Sequence, residues 1–155
     1  MSEEGETGEE PDLAALMFRV LPQLAAKEEP LLREAGLSMW EYAIMSELVS
    51  TRVVSQVELS RRTRRDPTRL GRHLDELATR GLVVRARAQD QRQRTVGLTD
   101  SGRTLYTTVK KRVRDAEDEL LHTTLATADA TFFRQLLARL ATPDVPVGDS
   151  GERSP

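Results

Sequence analysis

Apolar residues recur along most of the chain at spacings of three and four, the period of a helix with one buried face. Leu13, Leu16, Met17, Val20, Leu21 and Leu24 follow Asp12, a capping side chain, and predict a first helix. Pro22 lies inside this pattern and predicts a kink. Pro30 predicts a second break or a fresh start, and Gly36 ends the segment. Ser38 opens a second helix over about Met39 to Val49, with Glu41 placed to complete a capping box. Val53 and Val54 form a short extended piece. Ser55 and Glu58 repeat the capping-box spacing and open a short helix to about Thr63. Asp66-Pro67 is a further start signal, because proline at the first helical position loses no hydrogen bond there. That helix runs to about Arg80, and Gly81 takes the left-handed cap position.

The period then changes. Leu82 to Ala88 and Arg94 to Leu98 alternate, which predicts a β-hairpin with its tip at Gln89 to Gln93. In this pattern Arg85 and Arg87 alternate with apolar positions and are expected to face outward. Thr99 caps a long helix, Asp100 to Leu121. Thr127 caps a last one, with Phe132, Phe133, Leu136, Leu137 and Leu140 as its apolar stripe. The expected class is mainly α with a small β-hairpin, an α+β fold.

Two short helices joined by a tight turn and followed by a hairpin make a winged helix-turn-helix. Leu70, Leu74 and Leu77 share one face of the second helix and are expected in the core. The other face then presents Arg65, Thr68, Arg69, Arg72 and Glu76, residue types suited to base edges and nearby phosphates in a major groove. Arg92 and Arg94 at the hairpin would reach a flanking phosphate or the adjacent minor groove.

Charge sharpens this reading. The net charge of the 155 residues is -2, but it is unevenly placed. Residues 1–51 hold 3 basic and 11 acidic groups, a net of -8, whereas residues 52–94 hold 12 basic and 5 acidic groups, a net of +7. All 12 of those cations are arginine, which meets phosphate and guanine through a planar fork. A helical protein-interaction module without a DNA role is the alternative, though it has little use for such a block. A small enzyme is a weaker one. There is no nucleophile elbow, no Gly-rich phosphate loop, and no His in a metal spacing with carboxylates, so no cofactor or metal is expected. The absence of Cys excludes thiol redox chemistry. No signal peptide and no apolar run long enough for a bilayer are visible, and the expected location is cytoplasmic.

SQVELSRRT, DPTRLGRHLDELATRGLV and DQRQRTVGLTDSG carry a family resemblance. The segment from Leu37 to Tyr106 resembles the multiple-antibiotic-resistance regulator (MarR) family. Its most specific mark is the spacing of Asp90, Arg92, Leu98, Thr99 and Gly102. The resemblance extends over nearly all of residues 12–141. It implies a single domain over 12–142, with a winged lobe at 37–102 flanked by dimerisation helices at 12–35 and 103–141. Acidic residues 1–11 and residues 143–155 read as disordered tails. It further implies a homodimer that binds double-stranded DNA at a pseudo-palindromic site, usually as a repressor released by a small ligand. The 66–80 helix would be the recognition helix. Arg92 matches the family's wing arginine, positioned by Asp90, and Arg72 and Thr68 match recognition-helix positions. Arg64 stands where the turn usually has Gly, and Arg65 where a small apolar residue packs, so the turn could be looser or both arginines could face phosphate. His73 replaces a common aliphatic residue and is expected to pack on the helix flank. Met17, Met39, Trp40, Tyr42 and Tyr106 are candidate liners of a pocket for a small aromatic or anionic effector, with Trp40 foremost.

Overall fold

The computed structural model describes residues 10–87 and 93–142. Helix α1 spans Leu13–Glu34 and α2 Met39–Val49; the two-residue strand β1 is Val54–Ser55. Helices α3 (Gln56–Thr63) and α4 (Pro67–Thr79) follow, then strands β2 (Val83–Arg87) and β3 (Arg94–Leu98). Helix α5 (Asp100–His122) and α6 (Thr127–Ala141) complete the order. The described residues fall into two compact units that divide between Glu117 and Asp118.

The first unit holds the winged lobe. Its three-stranded antiparallel sheet has the order β1-β3-β2, with Val54 opposite Val96 and Val83 opposite Leu98. Leu32, Ile44, Met45, Leu48, Leu59, Leu70, Leu74, Leu77 and Val96 are its fully buried large side chains. At about 25 cal/mol per Å² of apolar surface, each such leucine contributes roughly 1.5–3 kcal/mol relative to exposure.

Helix ends are set by local chemistry. Asp12, Ser38, Ser55 and Asp66 each accept a hydrogen bond from the backbone N–H three residues on. Ser38 and Glu41 complete the reciprocal capping box. Ser55 and Glu58 do not pair in that way, because the Glu58 carboxylate accepts from Arg61 and Arg62 instead. The two arginines, Arg61 first, hold its pKa down at about 2. Thr127 is the first residue of α6 rather than its cap; Ala126 holds the cap position and offers no side-chain acceptor.

The break expected at Pro30 does not occur. Helix α1 runs for 22 residues through both Pro22 and Pro30. It ends where Gly36, at φ +70°, lets the Leu37 N–H return to the Leu32 carbonyl at 2.8 Å. That 6→1 bond buries Leu32 and Leu37 together, the hydrophobic contact of a Schellman stop.

The hairpin alternates one residue out of step with the pattern read from sequence. Val83 faces the core and Val84 is 57% exposed, so Arg85 shares the inward face with Val83. Arg85 does not point to solvent: it donates to Gln56 Oε1 at 3.1 Å and ion-pairs with Asp75, tying β2 to α3 and α4. Leu82 and Val83 are both buried because Leu82 belongs to the helix stop, where its N–H returns to the Leu77 carbonyl at 2.9 Å.

Two glycines are dictated by contact. A Cβ on Gly102 would lie 2.0 Å from the Leu82 carbonyl oxygen, and one on Gly97 would lie 2.6 Å from that of Arg52. The first turn of α5 can pack on the start of the wing only with hydrogen at that position.

In the second unit, Arg134 of α6 donates to Asp118 at 2.7 Å. Phe132, Phe133, Leu136 and Leu140 stay exposed along α6.

Candidate nucleic-acid interface

Helices α3 and α4 meet through a three-residue turn, 64–66. Arg64 occupies the left-handed region at φ +50°, ψ +36°, where glycine would be unstrained. The turn is nevertheless closed in the usual way. The Arg65 N–H reaches the Ser60 carbonyl at 3.1 Å, and the Ser60 hydroxyl donates to the Arg65 carbonyl at 2.6 Å. The turn is therefore not looser; the left-handed conformation is kept, at a backbone cost of about 1–2 kcal/mol.

Helix α4 carries the face expected of it. Leu70, Leu74 and Leu77 are buried, while Thr68, Arg69 and Arg72 are exposed within one 100° arc of the opposite side, at about 100° per residue. Arg69 lies 3.4 Å from Asp66, whose pKa is lowered chiefly by the Arg69 backbone N–H that it caps. Among the described residues, Arg64, Arg72, Arg87 and Arg94 are exposed and pair with no carboxylate. Arg87 and Arg94 are direct cross-strand partners at the base of the wing. Like charges placed opposite one another in a sheet repel. With Arg85 and Ala86 they line an open recess of about 270 Å³. Asp90 and Arg92, the expected wing pair, lie outside the described residues.

Arg65 is oriented differently from its neighbour. Its guanidinium stacks 3.9 Å from the centre of the Trp40 ring, and its Nε is buried without a partner. Trp40 is still 40% exposed, leaving part of the indole open. The five pocket candidates do not form one cluster. Trp40 and Tyr42 are roughly 200° apart around α2. Trp40 meets Arg65, whereas Tyr42 stacks on Tyr106 with ring centres 5.4 Å apart. Tyr106 is buried and donates to Ser46 Oγ at 3.0 Å. Burial first, and then the neighbouring Tyr106, Glu117 and Glu28, push the Tyr42 pKa up. Met17 and Met39 remain exposed.

Other polar residues acquire roles that their own segments did not suggest. Arg80 donates to the Gly36 carbonyl at 2.6 Å and so closes the end of α1 from the end of α4. His73 lies on the flank of α4, half-buried, as expected, but Glu41 of α2 and Glu76 come beside it. Only a tertiary contact brings Glu41 there, so sequence spacing gave no sign of it.

No family model and no curated protein matches the chain. Solved structures do. A MarR-family transcriptional regulator from Rhodococcus sp. RHA1 is 25% identical and superposes with a TM-score of 0.76, covering 86% of this chain and 94% of its own. CouR from Rhodococcus jostii RHA1, solved with p-coumaroyl-CoA, is 26% identical, with a TM-score of 0.70 and coverage of 85% and 93%. A Mycobacterium tuberculosis MarR-family protein, solved with p-aminosalicylic acid, is 26% identical, with a TM-score of 0.71 and coverage of 85% and 100%. The chain is a winged helix-turn-helix protein. Within that class it has the architecture of the MarR-family transcriptional regulators, over most of its length. None of the described helices is long and apolar enough to cross a membrane.

Proposed function

We propose that the protein is a ligand-responsive transcriptional repressor that binds double-stranded DNA as a homodimer. The observation that carries this reading is α4. It buries one leucine face and presents Thr68, Arg69 and Arg72 on the other, next to an arginine held in a strained turn. A 13-residue helix of this kind fits the major groove, and the exposed Arg87 and Arg94 at the wing base await phosphate. Arg92, with Asp90 to position it, would extend that contact from the wing tip. Leu13, Phe18 and Leu21 of α1, and Phe132 and Leu140 of α6, are exposed apolar residues that a second copy would cover. A two-fold dimer reads a two-fold site, with half-sites about 10–10.5 bp apart.

The effector reading centres on Trp40. An open indole face beside the unpartnered Arg65 Nε suits a small aromatic anion. Its carboxylate would take the guanidinium that now rests on the ring. The relatives solved with p-aminosalicylic acid and with an aromatic acyl-CoA support that chemical class.

Selection of bound duplexes from random DNA tests the main claim. Paired half-sites are expected, and Arg72→Ala should relax preference at one base pair and cost about 1–3 kcal/mol per half-site. Binding without sequence preference, or tight binding to a lone half-site, would overturn it.

A further inference from the structure

His73 and Glu76 stand three residues apart on α4 and share a flank of that helix. Glu41 reaches the same place from α2. One ring nitrogen and one oxygen of each carboxylate lie within 4.8 Å of one another. Glu41 is an unusual occupant of its position. It lies on the buried face of α2 with Ile44, Met45 and Leu48, and its side chain is only 7% exposed. Its Oε2 accepts from the Ser38 N–H at 2.7 Å. Its Oε1 faces the Arg80 guanidinium at 3.9 Å, beyond hydrogen-bond range, while Arg80 donates to Gly36 instead. Among the described residues, neither the His73 ring nor the Glu76 carboxylate has a hydrogen-bond or ion-pair partner. Among the described residues Glu41 Oε1 keeps only this long ion pair, and one oxygen of the Glu41 carboxylate lies beside two further open ligand groups.

We infer that Glu41, His73 and Glu76 bind a divalent transition cation, with Zn²⁺ the best fit. An imidazole nitrogen with two carboxylate oxygens is a ligand set for zinc, at bond lengths of about 2.0–2.2 Å in a four-coordinate shell. Such a shell spaces its ligand atoms roughly 3.4 Å apart. Rotation of His73 and of the exposed Glu76 closes the remaining gap, since the Ser38 N–H fixes Glu41. An open recess of about 460 Å³ lined by Gly36, Glu41, Asp75, Glu76, Thr79 and Arg80 leaves room beside the two glutamates for a water as the fourth ligand. Two carboxylates neutralise the dication, so the nearby Arg80 charge is no bar. Calcium and magnesium ask for more oxygen ligands than this site offers. The ligands come from two helices, so the cation ties α4 to α2 and fixes the angle at which α4 is presented. That consequence rests on the proposed DNA reading; the binding itself does not.

The test uses the full chain, stripped with a chelator and titrated with Zn²⁺ against a chromophoric competitor, and with Co²⁺ followed by visible absorption. One ion per chain is expected, with Co²⁺ bands of a low-coordinate nitrogen–oxygen site. His73→Asn and Glu76→Gln, with folding checked by circular dichroism, should each weaken binding about tenfold or more, whereas His122→Asn should not. Glu41→Gln, whose amide oxygen can still accept from the Ser38 N–H, should weaken binding likewise. Absence of uptake below about 1 mM Zn²⁺, or full affinity in both His73→Asn and Glu76→Gln, overturns the site. A Zn²⁺-dependent change in duplex affinity that His73→Asn abolishes supports the tie between helices. Zinc bound with no change in duplex affinity overturns that consequence alone. A chain that binds zinc but no duplex at all sinks the DNA reading and leaves the site standing.

Discussion

Arg64→Gly tests whether the turn stores backbone strain for the sake of a charge. Arg64 sits at φ +50°, ψ +36°, with the Arg65 N–H bonded back to Ser60. A side chain in the left-handed region costs about 1–2 kcal/mol, and glycine removes that cost. Glycine also loosens the unfolded chain, which takes back about 0.5–1 kcal/mol. The net expectation is a stabilisation of about 0.5–1 kcal/mol, or a rise in Tm of roughly 1–4 °C for a domain of this size. Arg64 has no carboxylate partner among the described residues, so no ion pair is lost. DNA affinity should move the other way. Losing one phosphate contact per subunit lowers the slope of log K against log salt by about 0.9 for each contact, so about 1.8 for a dimer. The assays are thermal melting at fixed protein concentration and duplex binding at several salt concentrations. A lower Tm would show that the turn is not strained as described. An unchanged salt slope would show that Arg64 does not meet phosphate.

Other outcomes can be stated more briefly. Gly102→Ala should destabilise by about 1–3 kcal/mol, because the added methyl meets the Leu82 carbonyl at 2.0 Å; urea unfolding measures this, and a neutral result would place that turn of α5 elsewhere. Burial and the adjacent Glu117 raise the Glu28 pKa above 4.5, so its contribution to stability is full below the unfolded value and is lost as pH rises through the folded one. Glu28→Gln should therefore raise Tm at pH 7, with the gain shrinking towards pH 4.5, and a gain independent of pH would rule this out. Leu21→Glu and Phe132→Glu should each shift sedimentation towards monomer, since both positions are exposed apolar sites on the proposed dimer helices; an unchanged oligomer would locate the interface elsewhere.

The sequence alone determined the element order, because caps and periods are local. Ser38 with Glu41, Asp66 with Pro67, and the glycines at 36 and 81 act within a few residues of themselves, so their hydrogen bonds are legible without a fold. The leucine face of α4 is likewise a property of one helix. Tertiary structure decided what depends on neighbours. Pro30 is tolerated inside α1, which runs on to the stop at Gly36. Alternation alone could not say which hairpin face meets the core. Leu82 is consumed by the helix stop, which moves the register by one residue and turns Arg85 inward to Asp75. Trp40 and Tyr42 looked like one pocket in sequence and face different partners in space. Glu41 carried only a capping role in its own segment. The packing of α2 on α4 places it beside His73 and Glu76, because only three-dimensional contact can join groups more than 30 residues apart.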